Sequence, residues 1–125
     1  VIRYLLDANA AVYAMDVGHE RLTDRIAACR VGEIGLSTIS FAEVAYGTYI
    51  GKPPASAVLE AFIAAIPLVP FDEAAARAYA RLPFKRARFD RLLAAHALSI
   101  GATVITANLA DFIDVPGLVV EDWCI

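Results

Sequence analysis

Four acidic side chains stand where chemistry is most readily built. Asp7 follows the apolar run Ile2-Arg3-Tyr4-Leu5-Leu6, and Asn108 and Asp111 follow the β-branched run Thr103-Val104-Ile105-Thr106. Glu43 and Asp90 each lie near the start of a helical pattern. In an open parallel sheet, ligands bind outside the carboxyl ends of the strands, so these acids are expected to converge on one end of the sheet. Gathering like charge is unfavourable unless something neutralises it, and a hard divalent cation with oxygen ligands is the usual answer. Mg²⁺ or Mn²⁺ is expected rather than Zn²⁺, because neither cysteine nor a close pair of histidines accompanies the acids.

Each acid also has an ordinary structural use. Asp7 could cap the first helix, Asp90 suits a helix N-terminus and Asp111 could hold an Asx turn. In Ser40-Phe41-Ala42-Glu43 the spacing is that of a capping box, in which Glu43 would bond the Ser40 amide, although Ser37 and Thr38 offer equally good caps one turn earlier. Asp72, in Phe71-Asp72-Glu73-Ala74, serves as a control with cap chemistry alone.

The elements that must position these residues alternate in character. Residues 2–6, 34–37, 68–71, 103–106 and 118–120 read as strands, and prolines around Leu68-Val69 suit a sheet edge. Helical spacing covers 20–30, 38–50, 55–66, 73–82 and 90–100, and the sequence after Asn9 is helical as well. Strand runs too apolar to face water, alternating with helices, predict a three-layer α/β/α sandwich around a mostly parallel sheet. With no internal repeat or linker, residues 1–125 are expected to form one domain.

Composition narrows the classes further. The chain has 11 Lys+Arg against 14 Asp+Glu, a net charge of -3 and a pI near 5.2, which argues against wholesale coating of nucleic acid. Five of those basic residues, Arg81, Lys85, Arg86, Arg88 and Arg91, fall beside Asp90, as a cationic patch for phosphates or as a solvated helix edge. A hydrophobic share of 59% owes much to 25 alanines, and the 19-residue uncharged run from Leu92 to Ala110 is split by Gly101, so no membrane span is expected. Asp7 interrupts the first apolar stretch, against a signal peptide, and Cys29 and Cys124 read as reduced thiols, so a cytoplasmic setting is expected. His19 and His96 are expected to be bystanders, with His96 on a helix surface or hydrogen-bonded in the core. Tyr46, one turn from Glu43, is a candidate for the pocket wall.

Four segments, taken in order, resemble the PIN-domain ribonucleases, and most closely their VapC toxin branch: Leu5-Leu6-Asp7-Ala8-Asn9, Ser37 to Gly47, Asp90 to Ala97, and Val104 to Phe112. The likeness runs from Tyr4 to Trp123, with Pro116-Gly117-Leu118 and Glu121-Asp122-Trp123 similar to that branch's usual ending. The resemblance implies that Asp7, Glu43, Asp90 and Asp111 are the acidic metal-site and catalytic residues, supported by Asn9, Thr106 and Asn108. It implies endonucleolytic hydrolysis of RNA by metal-activated water, leaving a 5′-phosphate and a 3′-hydroxyl. A cognate antitoxin whose peptide blocks the pocket, and a homodimer, are implied as partners; the helices around 39–50 and 55–66 could supply the antitoxin groove. Ala8 stands where the family commonly has Thr, so altered tuning of the site is expected.

Two rivals have different requirements. A phospho-acceptor receiver domain needs a lysine after a late strand, whereas Lys52 and Lys85 follow none. A catalytically weak module of the same fold, binding RNA or protein, would keep the architecture without efficient turnover. Triad and nucleotide-loop enzymes are excluded by the absence of a Gly-x-Ser-x-Gly elbow and of a phosphate-binding glycine loop.

Overall fold

A computed structural model describes residues 1–83 and 89–125. In chain order the elements are β1 (Tyr4–Leu6), α1 (Ala8–Ala14), α2 (Glu20–Ala27), β2 (Ile34–Ser37), α3 (Thr38–Tyr49), α4 (Ser56–Ala65), β3 (Leu68–Val69), α5 (Glu73–Ala80), α6 (Phe89–Ile100), β4 (Thr103–Ile105), a 3₁₀ turn (Leu109–Phe112) and β5 (Val120–Glu121). The strands form one sheet in the order β3-β2-β1-β4-β5, and every pairing is parallel. The expected sandwich with a parallel centre is therefore the observed one.

Alternation along the strands builds two cores. Side chains two apart share a face, so Leu6, Leu36 and Ile105 pack under α1–α4 with Ala10, Leu22, Val44 and Leu59. Leu5 and Val104 point the other way, onto Leu93, Ala94 and Ala97 of α6 and onto Phe112. Both residues of each adjacent pair are fully buried in β1 and β4, which is why these runs read as continuous apolar sequence rather than alternating sequence.

Strand ends differ from expectation by one or two residues, as where β1 starts at Tyr4 and β4 stops at Ile105, and two of the differences have a clear local cause. The closing strand begins at Val120 rather than Leu118, because the turn at Gly117, with φ of 79°, still carries Leu118, whose N–H reaches the Val115 carbonyl at 3.4 Å. Edge strand β3 spans only Leu68–Val69: Pro67 and Pro70 lack the N–H a longer ladder needs, although the Pro67 carbonyl still accepts from Leu36 at 2.9 Å.

The strand order carries the functional consequence. From β1 the chain steps to β2 and β3 on one side, then returns to β4 and β5 on the other, so the topological switch point lies between β1 and β4. Leu6 pairs with Ile105 there, and the Asp7 N–H donates to the Ile105 carbonyl at 3.0 Å. Hence the residues following β1 and β4 open into the same crevice.

Candidate active site

Asp7 is anchored at that crevice by two donors. It caps α1, with Oδ1 accepting the Ala10 N–H at 2.8 Å, and it takes a hydrogen bond from the Thr106 hydroxyl at the end of β4. Thr106 is itself buried, and its Oγ1 also accepts the Asn108 N–H at 3.0 Å. The capping role of Asp7 is thus real, but the Thr106 bond is more than a cap requires. Burial raises the Asp7 carboxyl above the usual range; the two hydrogen bonds oppose this, and the charges of Asp111 and Asp122 add to the rise.

Glu43 lies one turn inside α3, half-buried, and does not take part in a capping box. Ser37 is the cap, its Oγ accepting the Ile39 N–H at 3.1 Å, while Ser40 Oγ is buried without a partner among the described residues. Burial pushes the Glu43 carboxyl up to about 7, with the charges of Asp90 and then Asp7 adding to it. Asp90 occupies the first turn of α6, where the helix dipole favours negative charge. Asp111 is exposed on the 3₁₀ turn, and its Oδ2 accepts from Asn108 Nδ2 at 3.0 Å. Asn9 is exposed on α1, and Ala8 and Asn9 line a cavity together with Glu43 and Tyr46. Asp72 caps α5 through Ala75, 3.0 Å away, and its charge is also felt by His96.

The acids therefore share one electrostatic field: Glu43 senses Asp90 and Asp7, and Asp7 senses Asp111 and Asp122. No described basic side chain is among the causes of either shift. Asp122 is the addition to the expected set. It follows β5 as Asp7 follows β1, a relation visible in the sequence once β5 is placed; its Oδ1 accepts the Cys124 N–H at 2.8 Å.

Oxygen donors and like charges in one field suit a hard divalent cation in chemical type. Among the described residues, however, no three His, Cys, Asp or Glu side chains stand close enough to hold one ion as they are. What the chain offers a cation is a coupled negative field rather than a preformed cage.

The basic patch resolves differently. Lys85, Arg86 and Arg88 lie outside the described residues. Arg91, expected beside them as an RNA contact, is only 6% exposed: its guanidinium donates to the Pro83 carbonyl at 3.0 Å and pairs with Asp114 at 3.3 Å. That is a correction, since burial turns Arg91 inward to brace α6 and removes it from any phosphate surface. His96 is a core residue, its Nδ1 2.8 Å from Ser37 Oγ, and burial lowers its pKa. Among the described residues no helix is long and apolar enough to cross a membrane.

Comparison with known proteins agrees with this geometry. The chain is 29% identical to a tRNA(fMet)-specific endonuclease VapC of Salmonella typhimurium, with 99% of this chain and 100% of the relative covered. It is 26% identical to a ribonuclease VapC2 of Rickettsia felis over 96% of this chain and 97% of the relative. Among solved structures, it matches a chain of VapBC2 from Rickettsia felis bound to a promoter DNA fragment with a TM-score of 0.85, 25% identity and coverage of 98% and 99%. It also matches one of DNA-bound VapBC from Salmonella typhimurium with a TM-score of 0.85, 28% identity and coverage of 99% and 100%. The PIN domain family model matches residues 4–118, nearly the whole span from β1 to β5. With its all-parallel sheet and a family model matched over residues 4–118, the chain belongs to the PIN domain family.

Proposed function

We propose that this protein is a Mg²⁺- or Mn²⁺-dependent endoribonuclease, the toxin of a toxin–antitoxin pair, acting in the cytoplasm. The observation that carries the reading is the pair of raised carboxyls beside the switch point, Asp7 and Glu43, pushed up first by burial and then by neighbouring acids, with Glu43 at about 7 beside Asp90 and Asp7. The nuclease names of the full-length relatives support it, and the VapBC neighbours support a cognate antitoxin as partner. A homodimer, implied by the family resemblance, completes the reading and is checked by sedimentation.

Asp7, Glu43, Asp90 and Asp111 would hold the ion, with Asn9, Thr106 and Asn108 as polar supports. When bound, the ion supplies Lewis-acid activation of water and stabilises charge on the phosphoryl and leaving oxygens. The chain's own groups orient and neutralise. Thr106 fixes Asp7 by donating to its carboxylate, Asn108 holds Asp111, and Glu43, raised to about 7, would give up its proton to hold a cation. RNA incubated with the purified protein and Mg²⁺ or Mn²⁺ is expected to yield fragments with 5′-phosphate and 3′-hydroxyl ends, and none in excess chelator. Asp7→Asn keeps a capping acceptor but loses the charge, so its cleavage should fall by at least ~100-fold, beyond what loss of an outer support costs. Equal cleavage by both proteins would remove the proposal.

A further inference from the structure

Between α1 and α3, opening beside Glu43, lies a cavity of about 230 Å³. One wall is a single stripe of α3, Glu43, Tyr46, Gly47 and Ile50, at the three- and four-residue spacing that puts side chains on one face. Asn9 and Val12 of α1 form the opposite wall, and Lys52 closes the far end. The loop carrying Lys52 is tied to the helix: the Lys52 N–H donates to the Gly47 carbonyl at 2.8 Å, and the Thr48 hydroxyl to the Pro54 carbonyl at 2.7 Å. Lys52 is therefore held over the end of the cavity by backbone bonds.

Two side chains in this wall are not used by the fold. Tyr46 is 66% exposed and makes no ring contact among the described residues. Lys52 is exposed and forms no ion pair among them. The space between them is open, since even a Cβ on Gly47 would meet nothing nearer than Lys52 Cβ at 3.9 Å. An exposed aromatic ring followed by an exposed lysine on a tethered backbone, beside the proposed cleaving centre, is a combination that suits single-stranded nucleic acid: bases stack and phosphates are neutralised. With 1.5 Å of rise per residue, the seven steps from Glu43 to Ile50 span about 10 Å, room for one nucleotide of an extended strand.

We propose that this cavity is a nucleotide subsite for single-stranded RNA, in which a base stacks on Tyr46 and the adjoining phosphate meets Lys52 while the scissile phosphate lies at the Glu43 end. The assignment rests on the nuclease reading above and adds the residues that seat the strand beside the cut. A peptide could use the same residues, so antitoxin affinity is followed alongside RNA in the test.

The test is fluorescence anisotropy of a short labelled single-stranded RNA of mixed sequence in metal-free buffer, paired with steady-state cleavage in Mg²⁺ or Mn²⁺. Tyr46→Ala should weaken binding about 10-fold, the effect of losing one stacked base, with Tyr46→Phe restoring it. Lys52→Ala should lower the salt slope of binding by about 0.7, as expected for one phosphate contact on a single strand, with Lys52→Arg restoring it. In cleavage, both alanine variants should raise KM with kcat unchanged. Tyr49→Ala is the control, because Tyr49 is 89% exposed on the same helix but outside the cavity. All these positions are at the surface, so folding is not at issue. Cleavage by the wild type with unaltered binding and KM in Tyr46→Ala would overturn the subsite and leave the nuclease reading standing. Binding that depends on Tyr46 and Lys52 without any cleavage would do the reverse. If the variants lose only affinity for a co-expressed antitoxin, the cavity is a protein-docking groove and the subsite is refuted.

Discussion

Glu43 shows what the site costs. Its carboxyl titrates at about 7 in the folded chain, against an ordinary value of 4.5. Between those values the folded state holds a proton that the unfolded state has lost, so stability falls as pH rises from about 4.5 to 7 and stays low above it. His96, lowered by burial from 6.5, acts in the opposite sense: its contribution is lost as pH falls below 6.5. Comparing thermal midpoints of wild type and Glu43→Gln across pH 5 to 8 isolates the first effect. The variant should melt higher than wild type at pH 8, with the difference vanishing at pH 5. Added Mg²⁺ should raise the wild-type midpoint more at pH 8 than at pH 5, since at pH 5 a cation would have to compete with the Glu43 proton. Thr106→Val keeps the volume but removes the hydroxyl bonded to Asp7 and to the Asn108 N–H. RNA cleavage by that variant should fall by roughly 10- to 100-fold, the cost of losing an outer support.

At the scale of elements, the start of α3 holds a buried polar seam. Ser37 both caps the helix and meets His96 of α6, so it links the helix bearing Glu43 to the helix bearing Asp90. Ser37→Ala removes the cap and strands a buried imidazole nitrogen, and the two losses together should cost about 2–4 kcal/mol in chemical denaturation. Ser40→Ala, one turn on, removes a hydroxyl that has no partner among the described residues, and it should be neutral or stabilise by up to ~1 kcal/mol. Opposite results for two serines three residues apart follow from partner geometry alone. The capping-box spacing of Ser40 and Glu43 could not distinguish them, because Ser37 and Ser40 are chemically identical in the sequence. Arg91 has the same lesson: an arginine among arginines reads as surface, and only packing of α6 against Pro83 and Asp114 buries it.

For the whole molecule, the sheet depends on close approach at β2. A Cβ on Gly35 would sit 2.6 Å from Val69 Cγ2 and 3.3 Å from the Pro67 carbonyl, so β3 could no longer dock at its present distance. Gly35→Ala should therefore destabilise by about 1–3 kcal/mol, measurable as a shift of the denaturation midpoint. Much of the architecture was legible beforehand, because apolar periodicity is set by local geometry: period 2 for the strands and 3.6 for the helices report which side chains must leave water. The same patterning placed Asp7 and Asn108 at strand ends, and it kept Tyr46 one turn from Glu43, where both line the cavity. Strand order, by contrast, depends on which apolar faces meet across the sheet, and no local pattern encodes it. The order put the switch point between β1 and β4 and brought Asp122 into the field of Asp7, while the packing of α6 turned Arg91 inward. Sequence alone determined the kinds of group and the elements that carry them; which charges feel one another was decided only in the tertiary structure, since Coulomb energy depends on distance through space and not along the chain.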